Sequence, residues 1–217
     1  MDMHFTGRMV RLALFMVIAA LVLPGASVRA EGTGDLAARL LEAKSLLGDR
    51  EMGRSDAPVV MIEYASATCP HCAEFHEKVL PQIKTEYIET GKVRFIFREF
   101  PLDQLAMAAF VLVRCVPDDK YFATLDLMFQ QQRSWMESKS RANELFMIMA
   151  AAGMDRNGFE ACLRREDLAK SIFDSSKAAA NDFGIKSTPT IFINGKAIDA
   201  HDDMTAVKAA IDRAILQ

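Results

Sequence analysis

The sequence predicts an α/β fold interrupted by an all-helical insertion, and three observations carry that prediction. Strand, helix and strand patterns follow one another within about 45 residues from Val59 to Phe100. Helical periodicity then runs almost unbroken from Gln104 to about Phe183. Strand character returns only at Thr190-Ile191-Phe192-Ile193, where Asn194-Gly195 is the signal of a two-residue hairpin turn. A hairpin that completes a sheet begun by a βαβ unit makes the helices between them an insertion, and the βαβ unit itself implies a parallel pair with a right-handed crossover.

Composition sets the outer limits. With 217 residues and 51% of them hydrophobic, the chain can bury a sizeable core and is not disordered as its main state. Lys and Arg number 26 against 29 Asp and Glu, so no basic excess points to nucleic acid. Four cysteines are too few for a disulfide scaffold, so their spacing has to decide what they do.

Taken in order, residues 1–30 read as a signal peptide. Arg8 and Arg11 precede an apolar run from Leu12 to Leu23, Pro24-Gly25-Ala26 breaks it, and Val28-Arg29-Ala30 supplies a cleavage site before Glu31. The 17 uncharged residues between Arg11 and Arg29 also fit a short membrane anchor. Either reading puts the rest of the chain outside the cytoplasm, where disulfides persist and have to be made. Residues 31–55 form an N-terminal helical segment, with Leu36, Leu40, Ala43 and Leu47 on one face and Gly48 at its end. Residues 56–103 hold the βαβ unit. Its first strand is Val59-Val60-Met61-Ile62-Glu63-Tyr64-Ala65, and its helix from Pro70 carries Phe75, Val79, Ile83 and Tyr87 on one stripe, with Pro81 expected to kink it. The second strand spans Lys92 to Phe100. Residues 104–183 are the helical insertion, punctuated by Pro117, the polar stretch Ser134 to Ser140, and Gly153. Residues 184–217 complete the sheet with two strands and a last helix from Met204 to Leu216.

Chemistry concentrates at Cys69-Pro70-His71-Cys72, where the first strand hands over to the helix. The first sulfur of such a pair meets unpaired backbone N–H groups and the positive end of the helix dipole, both of which favour thiolate. His71 adds a donor, or a charge when protonated, and Pro70 fits the first helical turn without wasting an N–H. From the residues alone the pair could also be half of a zinc site or a plain structural disulfide. Zinc wants four ligands and no second CxxC exists, while so tight a ring adds little loop-closure stabilisation. Glu63 interrupts an otherwise apolar strand six residues before Cys69, so it is either a buried acid with a raised pKa or the exposed residue of an edge strand.

Thr68-Cys69-Pro70-His71-Cys72 after a strand, a long helical insertion, and Ser187-Thr188-Pro189-Thr190 before the closing hairpin together resemble the DsbA family of periplasmic thiol-disulfide oxidoreductases. Phe95-Ile96-Phe97-Arg98-Glu99-Phe100-Pro101 followed by helices is most similar to the alphaproteobacterial branch. The resemblance covers roughly Asp56 to Gln217. It implies a thioredoxin fold with an inserted helical domain, a redox-active Cys69–Cys72 pair, and a cis Pro189 that with Thr188 holds the substrate backbone beside it. It also implies that Glu63 is the family's buried active-site acid. At His76 the family more often shows an acid, and we expect the histidine at a solvated helix position. Cys115 and Cys162 could be two buried thiols, since cysteine packs as a small hydrophobe. The even count in an exported chain favours a pair, and some alphaproteobacterial relatives resemble this with a second, non-catalytic disulfide. Met107, Met128, Met147 and Met149 read as core packing.

The expected activity is oxidation of dithiols in exported proteins, with no cofactor and no metal. The resemblance implies reoxidation by a quinone-linked membrane partner of DsbB type, and we expect a monomer in the periplasm. The alternatives are an isomerase or reductase of the same fold, and a non-enzymatic module binding copper or zinc through cysteine and histidine.

Overall fold

The computed structural model describes residues 1–2, 33–199 and 203–217, so the expected signal peptide lies outside the described residues. Its centre is strand β2 (Val59–Ala65), in which every residue but Val60 is buried. So continuous an apolar run is what a strand covered on both faces requires. On one side β2 pairs in parallel with β3 (Val93–Glu99), from Val59 opposite Val93 to Ala65 opposite Glu99. On its other side β4 (Thr190–Ile193) runs antiparallel, with Glu63 opposite Ile191. Strand β5 (Lys196–Ile198) pairs antiparallel with β4 through a turn in which Asn194 and Gly195 both have positive φ, 45° and 76°, as the type I′ hairpin demands. Gly195 has a second constraint, since a Cβ there would lie 2.3 Å from that of Ala37. The far edge is β1 (Arg50–Met52), antiparallel to β3, and it is a strand within residues 31–55, which the sequence predicts to be helical.

Alternation along β2 sorts the side chains between two cores. Ile62 and Tyr64 join Ile96, Phe192 and Leu40 of helix α1 (Thr33–Glu42) on one face. Val59, Met61 and Ala65 join the larger core on the other, under the helix that begins at Pro70. By the same period Glu63 is on that second face.

The helix after β2 consists of α2 (Pro70–Glu74), a π turn at Phe75–Val79, α3 (Leu80–Ile83) and a second π turn at Lys84–Ile88. Pro81 has no N–H to give, and its ring would meet the carbonyl four residues back in a regular helix. The wide turn just before it, in which the Leu80 N–H bonds to the Phe75 carbonyl, accommodates the proline without ending the helix.

Between β3 and β4 run α4 (Gln104–Arg114), α5 (Tyr121–Gln130), α6 (Gln132–Glu137), α7 (Arg141–Ala151), α8 (Arg156–Leu163) and α9 (Glu166–Phe183). Helix α10 (Met204–Ile215) closes the chain. Helix α4 is tied to the sheet by the buried pair Arg114–Glu99, whose carboxylate also accepts from the Tyr121 hydroxyl at 2.8 Å. Cys115 at the end of α4 and Cys162 of α8 are joined in a disulfide, Cα to Cα 6.2 Å. Met128 and Met149 are buried and Met107 packs against the core, but Met147 is 57% exposed, because it lies on the outward face of α7.

Candidate active site

The site assembles where the C-terminal end of β2 meets the start of α2. Cys69 caps α2 with extended backbone, φ −82° and ψ 119°, and Pro70 occupies the first helical turn. The preceding turn is held by hydroxyls. Thr68 Oγ1 donates to Asp103 at 2.7 Å, and the same carboxylate caps α4 by accepting from the Ala106 N–H at 2.7 Å. Gln132, buried on α6, donates from Nε2 to the carbonyls of Ala67 at 2.8 Å and of Cys69 at 2.9 Å. Without it the carbonyls of Ala67 and Cys69 would each lose a partner.

Across from Cys69 lies the loop before β4. The Thr188–Pro189 peptide is cis, and the Cys69 thiol donates to the Thr188 carbonyl at 3.1 Å. The structure therefore brings together Cys69, Cys72, Thr188 and Pro189, four residues more than a hundred positions apart in part. Cys69 and Cys72 are both in the thiol form.

The two sulfurs differ sharply. Cys69 is brought down to about 5. The Cys72 thiol, which bonds to its sulfur, is the main cause; burial opposes it; the Thr188 side chain and the backbone N–H groups of Cys72 and His71 add to it. The Thr188 hydroxyl is buried and, among the described residues, has no hydrogen-bond partner while Cys69 is a thiol, so it is a donor in reserve for the thiolate. Cys72 is pushed far up, first by burial, then by its bond to Cys69 and by the nearby charge of Glu63. His71 contributes its backbone N–H, and its imidazole is exposed.

Glu63 is fully buried on the α2 side of the sheet, not on an edge. His76 is the correction to the sequence reading. It is 3% exposed, because a residue four positions after Cys72 shares the inward face of the helix. Its Nε2 is 3.1 Å from Glu63 Oε2, and its Nδ1 is 3.1 Å from Asp126 Oδ1 on α5. The ring stacks on Phe129 at 4.2 Å. Burial alone would lower its pKa, but the Glu63 charge and the hydrogen bonds to Asp126 and Glu63 outweigh it and hold it up at about 9. Asp126 and Gln132 were not singled out in the sequence, since nothing local marks a residue that reaches a site 50 or 63 positions away. Among the described residues no group of three or more His, Cys, Asp or Glu side chains is placed to hold a metal ion.

A pH dependence follows. A thiol held down at about 5 contributes stability that is complete above its unfolded pKa of about 8.5 and is lost as pH falls through 5. The disulfide form has no such group. His76, raised to about 9, contributes in both forms, fully below about 6.5 and less as pH rises through 9, so it cancels from the difference. The dithiol protein is therefore expected to gain stability over the disulfide protein as pH rises from 5 to 8.5. Urea unfolding of both forms across that range checks it, and parallel curves would refute it.

The thioredoxin family matches residues 45–213 of the chain. A Rickettsia bellii protein named for protein-disulfide oxidoreductase activity is 30% identical over 168 residues, which are 77% of this chain and 64% of that protein. The chain thus spans less than two thirds of that relative's length. Disulfide bond formation protein D of Bacillus subtilis is 24% identical over 183 residues, 79% of each. Among solved structures, alpha-DsbA1 of Wolbachia pipientis superposes with a TM-score of 0.74 at 30% identity, covering 85% of this chain and 96% of that one.

Proposed function

Because the chain belongs to the thioredoxin family, as a DsbA-like member with a thioredoxin-like fold and inserted helices, we propose that it oxidises dithiols to disulfides in exported proteins. The observation that carries this is the opposition of the two sulfurs: Cys69 held as a thiolate at a helix N-terminus and beside Thr188, Cys72 buried and held as a thiol. In the disulfide form a substrate thiolate attacks Cys69 Sγ, a mixed disulfide forms, and Cys72 leaves. A second substrate thiolate then attacks the substrate sulfur, the oxidised product departs, and Cys69 leaves as a thiolate. Oxidising power comes from stabilising that thiolate, since each unit of depression below ambient pH is worth about 1.36 kcal/mol, or roughly 30 mV for a two-electron couple.

Thr188 and Pro189 hold the substrate backbone beside Cys69, with Pro70 and His71 shaping the helix start. Reoxidation falls to a DsbB-like, quinone-linked membrane protein, and the protein works as a periplasmic monomer after removal of residues 1–30. Among the described residues no helix is long and apolar enough to cross a membrane. The test is equilibration of the Cys69–Cys72 couple against glutathione. A potential above about −200 mV supports an oxidase, and one below about −300 mV marks a structural disulfide and ends the proposal.

A further inference from the structure

The exchange chemistry leaves one proton without an obvious route. When Cys72 leaves, or when it closes the disulfide again, its sulfur has to gain or lose a proton in a place sealed from solvent, since Cys72 is 0% exposed. Glu63 lies near enough that its charge helps hold the Cys72 thiol up, and it too is 0% exposed. One of its oxygens, Oε1, is buried with no hydrogen-bond partner among the described residues, whereas Oε2 meets His76. His76 has both ring nitrogens engaged, Nε2 toward Glu63 and Nδ1 toward Asp126, each at 3.1 Å. Asp126 is the first member of this row that water can reach, its side chain being 28% exposed.

The geometry points to Glu63, His76 and Asp126 as a proton relay that connects Cys72 with solvent at the surface of the helical insertion. This rests on the oxidoreductase reading above and adds a role for two residues that touch no substrate and act through Glu63. Among the described residues, the groups that meet His76 offer no competing path. Strand β2 offers Glu63, α5 offers Asp126 and the face of Phe129, β3 offers the edge of Phe97, and its own helix offers Phe75 and, one turn back, Cys72. An imidazolium can release its Nδ1 proton and take it back while its Nε2–H stays on Glu63, which a lysine or arginine at this place would not do near neutral pH. In closure of the disulfide, the Cys72 proton passes to the Glu63 carboxylate, and as that charge is lost the His76 imidazolium, which keeps its Nε2 proton toward Glu63, releases its Nδ1 proton past Asp126, so that one proton in all leaves for solvent. The Cys72 thiolate then forms the bond to Cys69 Sγ as the bond from Cys69 to its partner sulfur breaks, and the partner departs as a thiolate. Substrate oxidation runs the same row inward.

The test uses full-length protein with glutathione attached to Cys69 and follows glutathione release by stopped flow from pH 5 to 9. Asp126→Asn, which keeps the shape of a partly exposed side chain, and His76→Gln, which keeps hydrogen bonding but cannot release or take up a proton, are each expected to slow closure on the order of tenfold. Their rates should rise in proportion to hydroxide, where the unaltered protein shows a shallower profile, and Asp126→Glu should recover most of the rate. The Cys69 thiolate titration should stay in place. An Asp126→Asn protein with unaltered rate and pH profile overturns the relay and leaves the oxidoreductase reading intact. Failure of the unaltered protein to close the disulfide at all overturns that reading instead.

Discussion

Cys72→Ser is expected to accumulate mixed disulfides on Cys69 and to lose turnover, while Cys69→Ser should accumulate none. The asymmetry follows from where each sulfur sits. Cys69 caps α2, faces the Thr188 carbonyl and is thiolate above about pH 5, so it is the sulfur that both attacks and is attacked. Cys72 lies one turn further on with no exposure, and in the proposed mechanism it serves only to resolve what Cys69 has joined. With serine at 72 the joined partner leaves only by attack of another thiol, so challenge with glutathione disulfide or an oxidised peptide should yield one stable adduct per protein. With serine at 69 the remaining thiol is buried and protonated, a poor nucleophile that no partner reaches. Intact mass before and after reductant reads both results, and adduct found on Cys69→Ser instead would reverse the assignment.

The second large effect is on stability. Removing the Cys115–Cys162 bond with a Cys115→Ala, Cys162→Ala double variant frees a loop with ends 47 residues apart, which the chain-entropy argument values at about 4 kcal/mol. For a chain of this size that is a fall in Tm of roughly 8–16 °C. The bond pins α4 to α8, and neither helix carries Cys69 or Cys72, so the potential of the active pair should not move. Differential scanning calorimetry beside a glutathione equilibration checks both halves. A loss under about 1 kcal/mol would mean that the helices hold each other without the bond.

Much of this could be read from residue order. The parallel pair shows in two apolar runs either side of a four-step stripe, the hairpin in Asn194-Gly195, and the reactive pair in two cysteines at a helix start, because each signal is local and follows from backbone geometry. Strand β1 escaped because three residues with no apolar alternation form a strand only when β3 offers an edge. His76 was misjudged on polarity, although its four-residue step from Cys72 places it on the buried face. Nothing local marks the charged residues at the end of β3 as buried, yet Arg98 is enclosed with Asp49, Tyr64 and the Leu40 carbonyl, and Glu99 with Arg114. Partners 15 to 58 positions away make those burials tolerable, and a sequence window does not contain them.

Gln132 carries one more consequence, for protein engineering. A helical insertion spliced between two strands invites exchange with that of a relative to alter which clients are accepted. Here the insertion supplies the amide that fastens the carbonyls of Ala67 and Cys69. A chimera that keeps the strands and the CPHC helix but brings in foreign helices would leave that turn unfastened, however well the new helices pack. Transplanting the insertion is therefore workable only if the donor's sequence presents a glutamine, or another two-pronged donor, at the start of α6.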